Sequence, residues 1–193
     1  MTTFTVPRVP PKKRQGQHKG SHEESFPEAA VMLAFAMHLL KRGANAVRIH
    51  PDGMHAKVHD IRAWLTSAGF ACDSDGCAGQ YARGKGTITV AFQSGVGDVV
   101  GQVGGETIFA ECKGGIVNTR HPGQRSKLRK GLCEAVGQLL GRKPLGGERQ
   151  VAVAPYTPLT LSLAKRMAPR AASVGIKIAL VRPNGSIYYV PAE

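Results

Sequence analysis

Acidic residues are scarce in this chain. Its 13 aspartates and glutamates are set against 26 lysines and arginines, for a net charge of +13. So positive a balance speaks against cationic partners and points to an anionic polymer or an anionic surface. A solvated basic protein with no such partner would spread its charge, whereas here the basic residues are clustered, notably at 12–14 and 120–130.

Long apolar runs are absent too. None approaches the roughly 20 residues of a membrane span. The N-terminus, MTTFTVPRVPPKKRQGQHKG, is basic but lacks the apolar segment of a secretory signal. Cysteine is sparse: Cys72, Cys77, Cys112 and Cys133. A chain of 193 residues that is 42% hydrophobic can build its core without staples, so these read as reduced thiols of a cytoplasmic protein. No G-x-x-x-x-G-K-[ST] occurs, which excludes a P-loop ATPase and leaves no nucleotide cofactor in view. His55 and His59 have the i, i+4 spacing of zinc ligands, but HAKVH has no glutamate between them, so a metalloprotease is excluded. No internal repeat is evident.

What is present divides into a basic arm and one domain. Residues 1–22 hold three prolines and the run Lys12-Lys13-Arg14 without periodicity, and read as a flexible arm. Such an arm either adds phosphate contacts or merely solubilises. In residues 23–193, Ser25-Phe-Pro-Glu28 reads as a helix start with Ser25 as N-cap and Glu28 closing a capping box. That helix runs to about 42, with Val31, Ala34, Phe35 and Leu39 on one face. A second helix is expected over about 52–67, from the spacing of Met54, Val58, Ile61, Leu65 and Ala68; Trp64 belongs to the core. Residues 71–86 read as a loop. Strands follow at about 87–93, 96–103 and 107–113, forming a meander. A helix over about 124–140 presents Leu128, Leu132, Ala135, Val136 and Leu139 on one face. Then come a strand at 149–155, a helix at 158–173, and a hairpin of 176–182 and 186–190 turned by Pro183-Asn184-Gly185. The order α–α–β–β–β–α–β–α–β–β implies an α/β fold: a mixed central sheet flanked by helices on both faces.

The chemistry concentrates in GDVVGQVGGETIFAECKGG, residues 97–115. Strand period is two, so Glu111 and Lys113 project from one face while Cys112 points the other way. Gly104-Gly105 supplies a hairpin turn that returns Asp98 to Glu111. Carboxylate oxygens suit Mg²⁺, and the carbonyl of Cys112 could supply a third oxygen. A metal held there would polarise a phosphodiester and activate water. Lys113 would orient that water or offset charge on the phosphorus, with its pKa depressed beside a cation. Burying an acid and a base together on a short apolar strand is costly unless they have a task.

Asp98 followed by Glu111-Cys112-Lys113, in this order of elements, resembles the PD-(D/E)xK nuclease superfamily with its restriction-endonuclease-like fold. Gly97 stands where many members carry proline. The resemblance implies a Mg²⁺- or Mn²⁺-dependent endodeoxyribonuclease in which Asp98 and Glu111 hold metal and Lys113 serves catalysis. It further implies support from Gln138 or Glu134 in the following helix, and from Glu24 or Glu28 in the first. DNA is the implied partner, and cutting both strands would favour a homodimer. Arg120, His121, Arg125, Lys127, Arg129 and Lys130, with Lys12, Lys13 and Arg14, are the expected phosphate contacts. Lysines at a helix N-terminus oppose the helix dipole, which favours a functional reading of this cluster. Two rivals stand beside the nuclease. One is a non-catalytic basic nucleic-acid-binding module of the same fold; the other is a zinc-stabilised interaction domain using Cys72 and Cys77.

Overall fold

A computed structural model describes residues 5–9, 23–53, 58–72, 74–92, 97–143 and 146–192. Lys12, Lys13, Arg14 and His55 lie outside these residues.

Among the described residues there are eleven strands and four helices. The strands are β1 (Ser25–Phe26), β2 (Ala46–Ile49), β3 (Ala71–Cys72), β4 (Gly79–Arg83), β5 (Gly86–Val90), β6 (Val99–Val103), β7 (Glu106–Cys112), β8 (Gly115–Ile116), β9 (Glu148–Pro155), β10 (Ile176–Val181) and β11 (Ile187–Tyr189). The helices are α1 (Glu28–Lys41), α2 (Ile61–Ser67), α3 (Pro122–Gly141) and α4 (Pro158–Ser173). Nine strands form one mixed sheet in the order β11-β10-β9-β7-β6-β2-β5-β4-β3, and β1 pairs with β8 separately.

Alternation along β9 and β10 shows where the layers lie. Val151, Val153, Ala179 and Val181 pack into one cluster with α1, while Ala152, Ala154, Ile178 and Leu180 join the apolar faces of α3 and α4. Helices therefore cover both faces of this half of the sheet. The five α3 residues expected to face the core are its buried residues. α1 differs from expectation. It buries every residue from Ala29 to Met37, not one stripe, as a helix apolar all round must. No helix of the described residues is long and apolar enough to cross a membrane.

Several local expectations need correction. Ser25 does not cap α1: it lies in β1, where its N–H bonds Val9 O and its backbone pairs Ile116. Pro27 is the N-cap, with no side-chain cap bond. The expected 52–67 helix is interrupted: Gly53 and Val58 are helical, Met54 lies outside the described residues, and α2 starts at Ile61, where the Asp60 carboxylate accepts the Ala63 N–H; Val58 is 47% exposed. Trp64 is half-buried and stacks on the His59 ring. The expected 71–86 loop contains β3 and β4. The expected meander is also broken. β2 lies between β5 and β6, parallel to the first and antiparallel to the second. Residues 51–97 are thus an excursion whose ends meet, since the His50 N–H donates to Asp98 O at 2.9 Å.

The outer half of the sheet is asymmetric. Val47, Ile49, Ile88 and Val99 are buried on the α1 side. On the opposite side Arg48, Gln80 and Gln102 are exposed and Thr87 and Thr89 half-buried, with none of the described helices over them. Residues 5–9, which the sequence assigns to the arm, are docked on the body: Val6 is buried and its N–H bonds Pro183 O at 3.0 Å.

Candidate active site

β7 sorts its side chains by parity. Ile108, Ala110 and Cys112 are buried toward α1, while Thr107, Phe109, Glu111 and Lys113 face the other way. Gly104 and Gly105, at φ +59° and +83°, make the tight turn that brings β6 back along β7. Asp98 sits just before β6. Its N–H bonds Ala110 O at 3.0 Å, and its carboxylate Oδ2 accepts the Cys112 N–H at 2.7 Å. Its carboxylate also hydrogen-bonds that of Glu111. Gly97, at φ +84°, explains the missing proline, whose ring fixes φ near −65°.

Lys113 lies under α3. Its Nζ is 3.3 Å from Glu134 Oε1, and the Gly131 position is so close that a Cβ there would stand 3.3 Å from Lys113 Cβ. Of the two acids expected from the first helix, Glu28 reaches the site and bonds the Gly114 backbone, whereas Glu24 pairs with Arg8 at 2.7 Å. Glu28, Asp98, Glu111 and Gln138 line one cleft of about 710 Å³.

Electrostatics define what the cleft can hold. Burial raises Glu28 from 4.5 to about 7; Lys113 pulls against this, and Asp98 and Glu134 add to it. Burial, then the Asp98 charge and the hydrogen bond to it, raises Glu111 likewise to about 7. Two carboxylates hydrogen-bond one another only by sharing a proton. A divalent cation can take that proton's place, so the donor set fits Mg²⁺ or Mn²⁺. Among the described residues no three His, Cys, Asp or Glu side chains stand at ligand spacing. Burial alone would lower the Lys113 ammonium, but Glu28, Glu134 and Asp98 outweigh it and its pKa is raised. Lys113 is thus held above its ordinary value, opposite to the depression expected beside a cation.

Cys112 contributes backbone only. Its side chain is fully buried, and burial pushes the thiol up. A strand residue directs its N–H and C=O to the same edge, so the Cys112 carbonyl faces the edge at which Asp98 accepts its N–H.

Four lining residues were not visible in the sequence: His50, Asp52, Phe92 and Arg142. The first two follow β2, a strand too short to see. His50 is buried and bonds Ala91 O through Nδ1 at 3.1 Å, with Nε2 without a partner among the described residues. Arg142 stacks 3.5 Å over the Phe109 ring and pairs with Glu148.

Arg120, His121, Arg125, Lys127, Arg129 and Lys130 are all exposed at the start of α3, and among the described residues none has an ion pair. His121 is also the N-cap, its Nδ1 accepting the Gly123 N–H at 3.2 Å. The expected zinc pair is half-buried, with Cys72 Sγ against Ser74 Oγ at 3.2 Å. Cys133 is exposed on α3.

The chain matches no family model, no curated protein and no solved structure. Chemically, the cleft combines carboxylates able to bind a hard cation with one ammonium beside them, and α3 lines it from its C-terminal end through Gln138, Gly141 and Arg142.

Proposed function

We propose that this chain is a Mg²⁺- or Mn²⁺-dependent nuclease that hydrolyses phosphodiester bonds in DNA, built on a restriction-endonuclease-like fold of the PD-(D/E)xK type. The observation that carries the reading is the Asp98–Glu111 carboxylate pair with Lys113 on the same strand face. Asp98 and Glu111 would hold the metal, with the Cys112 carbonyl as a further oxygen. When bound, the ion would polarise the phosphodiester and lower the pKa of a water. Glu28, raised to about 7 by burial, can take up or release a proton near neutral pH, or join the ion. Lys113, charged and fixed by Glu134, orients the nucleophile and offsets the negative charge that grows on phosphorus. Gln138 lines the cleft beside them. The exposed cations of α3 would grip flanking phosphates.

Incubating plasmid and oligonucleotide DNA with purified protein tests this. Mg²⁺ should produce cleavage, EDTA should abolish it, and Asp98→Ala or Lys113→Ala should lower the rate by at least about a hundredfold. Equal cleavage by the variants would refute the assignment. Binding without cleavage, indifferent to EDTA and to Asp98→Ala, would identify a binding module instead.

A further inference from the structure

The uncovered face of the outer sheet adjoins the cleft. A hollow of about 480 Å³ lies on it, bounded by Arg48 and floored by Thr89, Gln102, Thr107 and Phe109. His50 lines both the hollow and the cleft. The Phe109 ring, capped by Arg142, stands between them. We propose that this face is a second nucleic-acid-binding site, which seats the strand flanking the bond to be cut.

The polarity of that strand rests on the nuclease reading above, because the reacting phosphate is placed at Glu111. Three features choose the occupant. No carboxylate lines the hollow among the described residues, while arginines stand at its outer limit and at its border with the cleft. Thr89, Thr107 and Gln102 bring hydroxyl and amide groups to a floor otherwise made of Val100, Gly101 and Phe109, and such groups contact phosphate and sugar without reading sequence. Size agrees as well. Four strand spacings from β7 to β4 span roughly 19 Å, the length of about five nucleotides of one strand.

The test measures binding of a fluorescent duplex in Ca²⁺ over a range of salt, with Mg²⁺ cleavage and sedimentation alongside. Arg48→Glu and Gln102→Glu place a negative charge on the face without touching its core. Lys165→Glu, on the exposed side of α4, is the control for net charge. Melting curves check that all three fold. The expected result is about a tenfold weaker Kd for each face variant, with Arg48→Glu lowering the salt slope by about 1, and little change for Lys165→Glu. If the wild type cuts DNA and the face variants behave like Lys165→Glu, this inference fails and the nuclease reading stands. If the face variants weaken binding but no condition yields cleavage, the nuclease reading fails and the second site stands. A wild type that does not bind DNA overturns both. A shift from dimer to monomer with unchanged DNA affinity would assign the face to a second copy and overturn the proposal.

Discussion

Glu28 and Glu111 give the site its pH dependence. Both bind a proton more tightly in the fold, near pH 7, than at the ordinary value of 4.5. Between these values the native state holds more protons than the unfolded chain. The stability these groups supply is therefore present below about 4.5 and is lost as the pH rises through about 7. Glu28→Gln should accordingly melt above the wild type at pH 8 in EDTA, by about 1 kcal/mol after discounting for solvent, and lose that advantage at pH 4. Cation binding runs the opposite way, because ions and protons compete for the same oxygens. Calorimetric titration with Mn²⁺ should show affinity falling below pH 7, by about tenfold per pH unit for each proton displaced. An affinity flat between pH 5 and 8 would mean that the ion does not meet these carboxylates.

At the scale of elements, close approaches join the helices to β7. A Cβ on Gly114 would collide with Phe26 O and stand 2.6 Å from Glu28 N. Gly114→Ala should therefore push the α1 start off β7, costing about 3 kcal/mol in denaturant melts and lowering activity with it. Gly131→Leu separates the two effects. It should raise the helix propensity of α3 by nearly 1 kcal/mol, yet displace Lys113 and reduce turnover about tenfold or more. Unchanged turnover would show that Lys113 needs no such clearance. These approaches also explain what the sequence made legible. α3, with solvent on one side, shows a clean 3.6-residue period, and its core face could be read residue by residue. α1 could not, because it is enclosed all round and has no polar stripe. β4, GQYAR, reads as loop because its outer face is bare and carries polar side chains. β2, AVRI, offers two apolar residues per face at most, and its insertion between β5 and β6 leaves no trace in chain order. The Asp98–Glu111–Lys113 grouping was readable because a two-glycine hairpin fixes its geometry locally. His50 and Arg142 were not, since they arrive through long-range packing.

Across the whole molecule, charge and tethering act together. If the basic start of α3 grips DNA, binding should weaken steeply with salt, with log Kd changing about 0.9 per phosphate neutralised for each tenfold rise in salt. Removing residues 1–9 should do more than trim a tail. It deletes the buried Val6 and its bond to Pro183, so thermal melts should fall by roughly 2 kcal/mol of stability, or about 4–8 °C at this size. A truncated protein that melts with the wild type would show the strap to be ornamental.

The bond from His50 to Asp98 has a further consequence. The chain leaves β2 and comes back to β6 at nearly the same point, so the loops of the 47 residues in between could change length without moving Asp98, provided that β5 keeps its pairing with β2 and its buried Ile88 and Val90. Asp98 stands on that seam. If the chain is the proposed nuclease, those loops are where its surroundings could be altered while the carboxylate pair keeps its spacing.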